Sequence, residues 1–378
     1  MMLRSTNSSS APQKKRWRRW LKWAAGATLA GLLIVAYLCR DHIRTLQSLR
    51  RVPGTNAYVM DYFCDYNLDE IRRNGMNPNQ MEDSFIDAFF PQLVSAFAKR
   101  VKRAFIPGDT NTFDTEADHC STVMLRSADG DVFFGRNFDW PHDACLVLRI
   151  HDADGLSSIA VIDLHYLNLD RPDLDECSLL TRLPLFFAPY YVMDGINRHG
   201  VAISEMSVSP VEPPHDEHKP DIMAPTMMRL ILDYAENTQE AMDLIRNYNM
   251  CFPHDRVHLM VADASGDSRI VEFLDGRIRE TRPDTSWQVC TNTLIWGADE
   301  KAKDSNCDRY HIASKQAEEL RTVVTKADAT RITRSIAVDN YTMWTTVYNL
   351  SAGKFSLLYK SRPETEFTDE ISIQNAGR

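Results

Sequence analysis

Three times along this chain a short apolar run, a glycine-bearing turn and a second apolar run follow one another. That recurrence limits the fold more than any other feature. Residues 121–127, the turn Ala128-Asp129-Gly130 and residues 132–136 make the first; 257–262, Ser265-Gly266 and 269–273 the second; 342–350, Ala352-Gly353 and 354–359 the third. Runs of this length, joined through glycine, read as β-hairpins. Helical patterns lie between and after them, over about 226–236, 239–248, 309–320 and 327–337, with Thr238 the expected N-cap of the second. Antiparallel hairpins alternating with helices predict an α+β layered protein.

The chain ahead of the first hairpin has a different texture. Residues 1–13 are polar, serine-rich and expected to be disordered. Seven of the 43 basic residues fall in the first 22 positions: Arg4, Lys14, Lys15, Arg16, Arg18, Arg19 and Lys22. An apolar run, 23–39, follows, and no acid occurs before Asp41. A membrane span needs about 17–25 residues, so this run is at the short end. It is long for the core of a cleavable signal, about 7–15, and no small-residue cleavage site closes it at Tyr37-Leu38-Cys39. Trp17, Trp20 and Trp23 suit an interfacial belt. The expectation is a basic cytoplasmic tail (1–22), a transmembrane signal anchor (23–39) and an extracytoplasmic remainder; the alternative is a secreted or periplasmic protein after signal cleavage. Beyond the basic cluster, 36 basic residues face 52 acidic ones. So acidic a body repels phosphate backbones, which argues against nucleic acid as a partner.

Phe85, Phe89, Leu93, Phe97, Val101 and Phe105 recur every four residues, predicting a helix over 81–105, bent at Pro91. A polar stretch, 107–119, reads as an exposed loop and ends at Cys120. The eight cysteines include no CxxC pair and no zinc spacing, which excludes a metal ribbon, and no metal is called for. Export would permit disulfides, but their pairing stays open. The proline- and charge-rich stretch 210–225 reads as a loop, with His215 and His218 solvated rather than ligating.

Three local features converge on Cys120. It begins a strand directly after an exposed loop; Arg136 and Asp139 end the same hairpin, which brings them back beside it; and Thr291-Asn292 follows another strand. A guanidinium favours a thiolate over its ordinary protonated form. An α-amino group titrates at about 7.7–8.0, so a cysteine that is itself an N-terminus carries its own base. Asp139 can hold that amine, and Asn292 offers an N–H to an oxyanion. No cofactor is needed.

The segment CSTVMLRSADGDVFFGRNFDW, beginning at Cys120, resembles the start of the mature chain in the linear amide C–N hydrolases, the superfamily of choloylglycine hydrolase, penicillin V acylase, acid ceramidase and the acyl-CoA:6-aminopenicillanic acid acyltransferases. DGINRHGVAISEMSV (from Asp194), CTNT (from Cys290), SNCDRYHIA (from Ser305) and TMWTTVYNLSAGKFSLLYK (from Thr342) resemble later motifs in the same order, the last that of the acyltransferase branch. The resemblance covers about residues 120–360. It implies a four-layer αββα N-terminal-nucleophile sandwich over the catalytic domain (120–378), with a partly helical propeptide (40–119) between it and the transmembrane helix expected from the apolar run. It implies self-cleavage between His119 and Cys120, with fragments able to stay associated, and Cys120 as nucleophile and base. Arg136 and Asp139 would shape its surroundings, Asn292 would serve the oxyanion, Arg309 would be the second arginine, and Asn197 and Ser207 would meet substrate. Bile-salt hydrolases carry asparagine where this chain has Ser207, which argues against a bile-salt specialist. The implied substrate is a small N-acyl amide, lipid-like if location guides it. An inactive anchored scaffold of the same fold is the alternative; a papain-like protease ranks last, because no C-G-S-C-W signature is present.

Overall fold

The computed structural model describes residues 37–76, 120–252, 256–298, 307–320 and 322–374, with a few scattered positions between 17 and 28. The expected helix over 81–105, most of the 23–39 run and His119 lie outside the described residues. Among the described residues no helix is long and apolar enough to cross a membrane.

In chain order the elements are α1 (Arg40–Gln47), β1 (Arg50–Arg51), β2 (Ala57–Tyr62), α2 (Leu68–Asn74), β3 (Ser121–Arg126), β4 (Val132–Asp139), β5 (Cys145–Asp152), β6 (Gly155–Asp163), β7 (Asp194–Asn197) and β8 (Ala202–Ser207). They continue with β9 (Asp221–Met223), α3 (Ala224–Tyr234), α4 (Thr238–Arg246), β10 (Asn249–Cys251), β11 (Val257–Ala262), β12 (Ser268–Leu274), β13 (Arg277–Thr281) and β14 (Trp287–Cys290). The last are α5 (Asp308–Glu318), α6 (Lys326–Ser335), β15 (Thr342–Asn349), β16 (Lys354–Tyr359) and β17 (Glu366–Glu370).

All three expected hairpins form, as β3–β4, β11–β12 and β15–β16. Gly353 turns the third with φ 66°, and a Cβ there would meet the Ile371 carbonyl oxygen at 1.9 Å. That position admits only glycine. The four expected helices form as α3 to α6. Two details differ. Pro225 starts α3 rather than ending the preceding loop, because an N-terminal helical position needs no N–H. Asn237, not Thr238, caps α4, its side chain accepting from the Glu240 amide.

The strands assemble into a nine-stranded sheet, ordered β1-β2-β5-β6-β7-β8-β11-β12-β13, and a six-stranded sheet, ordered β14-β3-β4-β15-β16-β17. Helices α3 and α4 cover the outer face of the first, and α5 and α6 that of the second. The result is a mixed α+β protein with two apolar cores. One lies between the large sheet and its helices; the other fills the space between the sheets and under α5 and α6. Strands buried on both faces need apolar residues at successive positions, as Val147 and Leu148, or Val161 and Ile162, supply.

Residues 40–76, expected to belong to a propeptide, are built into this body. β2 pairs in parallel with β5 over six residues, inside the large sheet. β4 approaches α6 closely at Gly135, where a Cβ would meet Thr333 Oγ1 at 2.0 Å.

Candidate active site

Strand register decides which side chains meet. β3 lies between β14 and β4, with Ser121 opposite Asn137 and Thr122 opposite Cys290. Cys120, one residue before β3, is therefore flanked by the end of β4 and by the turn after β14. On the facing sheet, Asp194 starts β7 opposite Ser204 of β8, so Ser207 lies at the same end. The Thr122 and Ser204 hydroxyls meet across the gap at 2.9 Å, aligning the two sheets there.

Cys120 is buried. Burial pushes its thiol up and the nearby charge of Asp139 adds to the rise; the Arg136 guanidinium and the Asp139 backbone amide oppose it. Arg136 has no solvent exposure. It donates to the Glu205 carbonyl at 2.8 Å and to its neighbour Asn137's carbonyl, and its Nε lies 3.5 Å from Asp194. Asp194 in turn accepts from Trp344 Nε1 at 2.9 Å, Thr346 Oγ1 at 3.0 Å and the Tyr348 hydroxyl, which stand on alternate residues of β15. The cation beside the sulfur is thus fixed from behind by a fully hydrogen-bonded carboxylate.

Asp139 is also buried, and burial pushes its carboxyl up to about 7; a hydrogen bond from Thr342 and the charges of Arg309 and Arg136 offset this only in part. Arg309, the second residue of α5, gathers the rest of the site. It donates to Asp139 Oδ2 at 3.1 Å, to Asn292 Oδ1 at 2.7 Å and to the Cys120 carbonyl at 3.4 Å. Asn292 Nδ2 donates to the Ser207 carbonyl at 2.7 Å, leaving its second N–H. It is the backbone of Ser207 that joins the site through this bond.

Cys120, Arg136, Asp139, Asn292 and Arg309 therefore converge, as the sequence suggested. Asn197 does not join them. Its Nδ2 donates to the Ala235 carbonyl at 2.7 Å and its Oδ1 accepts from the His199 and Val201 amides, so it is spent on closing the β7–β8 turn. That turn is at the far end of β8 from Ser207, roughly 15–20 Å along the strand at 3.3 Å per residue. Asp194 and Thr342 were missed. Asp194 opens the very motif that contains Asn197, and an acid at an inward strand position was the available signal. Thr342 gives no signal, since only the fold brings its hydroxyl to Asp139.

On the other flank of Cys120, Trp140 Nε1 donates to His142 Nε2 at 3.1 Å, His142 Nδ1 lies 2.6 Å from buried Asp163, and His142 stacks on His165 at 3.6 Å. Asp163 ends β6 at the same rim, so this cluster borders the Cys120 end of the gap. A cavity of about 900 Å³ lies elsewhere, lined among others by Arg44, Phe63, Arg73, His151 and Asp233. His215 and His218 are exposed. All eight cysteines are unpaired thiols.

A family model described as acyl-coenzyme A:6-aminopenicillanic acid acyl-transferase matches residues 126–351, more than half of the chain. Comparison with curated proteins by sequence gives no match. Among solved structures, a penicillin V acylase from Agrobacterium tumefaciens is similar over 67% of this chain and 86% of its own, at 19% identity and a TM-score of 0.47. A variant of the conjugated bile acid hydrolase from Clostridium perfringens is similar over 66% of this chain and 92% of its own, at 11% identity and a TM-score of 0.47. A Caenorhabditis elegans ortholog of N-acylethanolamine-hydrolyzing acid amidase is similar over 61% and 93%, at 12% identity and a TM-score of 0.43.

Proposed function

The chain belongs to the acyl-coenzyme A:6-aminopenicillanic acid acyl-transferase family, and from that premise we propose that it is a cysteine N-terminal-nucleophile enzyme that activates itself by cutting before Cys120 and then cleaves, or transacylates, a linear amide of a small N-acyl substrate. The observation that carries the reading is the meeting of a buried thiol with a buried guanidinium, beside a carboxylate and an amide that Arg309 ties together.

Activation begins when the Cys120 sulfur attacks the His119 carbonyl carbon. The acyl group moves from nitrogen to sulfur, and water opens the thioester. His119 is left with a carboxylate, and Cys120 with a free amine and thiol. A carboxyl titrating near 7 suits proton transfer in this step, and Asp139 is that carboxyl.

In turnover the sulfur attacks the substrate's amide carbonyl while its proton passes to the α-amine. Arg136 favours the thiolate, Asp139 holds the amine, and the second N–H of Asn292 meets the oxyanion. The ammonium then protonates the departing amine as the C–N bond breaks. Water opens the remaining thioester to give a carboxylic acid; a second amine in place of water gives acyl transfer. Residues 23–39 anchor the enzyme to a membrane with Asp41 onward outside the cytoplasm, which favours N-acyl lipids among small N-acyl amides.

The direct test is amine release from a panel of N-acyl amides of differing chain length. Wild-type enzyme should release amine from some member and Cys120→Ala from none. A Cys120→Ala chain as active as wild type overturns the assignment.

A further inference from the structure

We propose that His258 and Glu272 form a buried hydrogen-bonded pair that positions the Asn292 turn for catalysis. The inference rests on the reading of Asn292 as oxyanion donor. The two residues are opposite one another on β11 and β12, since Leu259 pairs with Val271, and they share the inward face with Met260 and Ile270. Neither side chain has more than 1% exposure.

His258 Nε2 lies 2.6 Å from the Thr291 carbonyl oxygen, and Nδ1 lies 3.3 Å from Glu272 Oε1. A carbonyl oxygen can only accept, so Nε2 is the donor to Thr291, and Nδ1 faces the Glu272 carboxylate. Glu272 also accepts from the Ile295 amide at 2.8 Å and the Trp296 amide at 2.6 Å. Burial pushes its carboxyl up, but the His258 bond and these two amides outweigh it and hold the group below the usual range. The turn is therefore gripped at its start through the Thr291 carbonyl and at its end through two amides, with Asn292 between.

Cys290 Sγ lies 3.4 Å from His258 Nε2, which superficially makes a second cysteine–histidine–carboxylate set. Burial holds that thiol well above its ordinary value, and no part of it is exposed. It is packing behind the turn, not a second nucleophile. On the β8 side His258 has Met206 as its register neighbour. Glu272 and Cys290 are titratable groups in contact with the ring.

A displacement of about 1 Å in a catalytic group can cost roughly 10²-fold in rate. In correctly processed enzyme, Glu272→Gln should lower kcat by about 10- to 100-fold and leave KM within about threefold. In an Asn292→Ala background the same substitution should cost nothing further, because the two act through one contact. Glu272→Gln enzyme with wild-type kcat, or with an equal loss in both backgrounds, overturns the proposal. Should Asn292→Ala alone keep wild-type kcat, the oxyanion reading itself has failed, and that shows before Glu272 is touched. If Glu272→Gln does not fold, nitrogen-15 histidine spectra of the uncut Cys120→Ala chain decide. A His258 ring whose shifts show a hydrogen bond at both nitrogens supports the pair, and a ring with no hydrogen bond at Nδ1 overturns it.

Discussion

Asp139 stands between opposed effects: burial raises its carboxyl, the Thr342 hydrogen bond and the charges of Arg309 and Arg136 lower it, and the balance leaves it at about 7. The proposed role as base for self-cleavage requires it to be ionised. Processing of freshly purified precursor should therefore speed up as pH rises through about 7, and Asp139→Asn should slow it and flatten the profile. A wild-type rate independent of pH across that range contradicts the role. Asn292→Ala in processed enzyme should lower kcat by about 10²–10³ with little change in KM, because an oxyanion donor acts in the transition state; steady-state kinetics on any accepted substrate read this. Asp194→Ala strips the buried Arg136 of its carboxylate, and breaking such a pair costs about 3–5 kcal/mol. Denaturant unfolding of the Cys120→Ala chain should show that loss; a change below about 0.5 kcal/mol, ordinary for surface sites, would contradict it. Cys120, Arg136 and Asp139 were legible because one hairpin carries all three, so local pattern fixes their proximity. Asn197 misled because a motif says which residues recur together but not which way a side chain turns, and here the amide closes its own turn. The partners of Arg136 were illegible for the opposite reason: Asp194 lies on the other sheet, and its donors come from β15.

At the scale of elements, the hairpins and the helices α3 to α6 were readable, since each is set by local period, turn glycines and caps. The place of β2 was not. A parallel neighbour is chosen by the tertiary fold, and nothing in residues 57–62 names β5 as its partner. The strands β5 and β6 went unread as well; buried on both faces, they show no alternation to separate them from any apolar run. Since β2 lies between β1 and β5, the N-terminal fragment should stay bound after self-cleavage, for its departure would expose the β5 edge and an apolar face. Both fragments should co-elute in native gel filtration and separate in denaturant; fragments that separate without denaturant contradict this. At the β4–α6 contact, Gly135→Ala drives a methyl into Thr333 and should cost about 1–3 kcal/mol, part of it restored by Thr333→Ala, as read from thermal or denaturant midpoints.

The described residues form two sheets face to face between helices, with the Cys120 cluster at one rim of the gap between them. The α+β layering followed from the alternation of hairpins and helices. The alignment of the sheets, which brings the β8 end under the β14 turn, arises only from packing such as the Thr122–Ser204 contact. The proposed activity depends on Cys120 becoming an N-terminus, because only then does one residue hold both nucleophile and base. Intact-mass analysis with N-terminal sequencing of active, purified protein tests this most directly. Two fragments are expected, ending at His119 and beginning Cys-Ser-Thr-Val at Cys120. An enzyme that cleaves amides while its His119–Cys120 bond remains whole would contradict it.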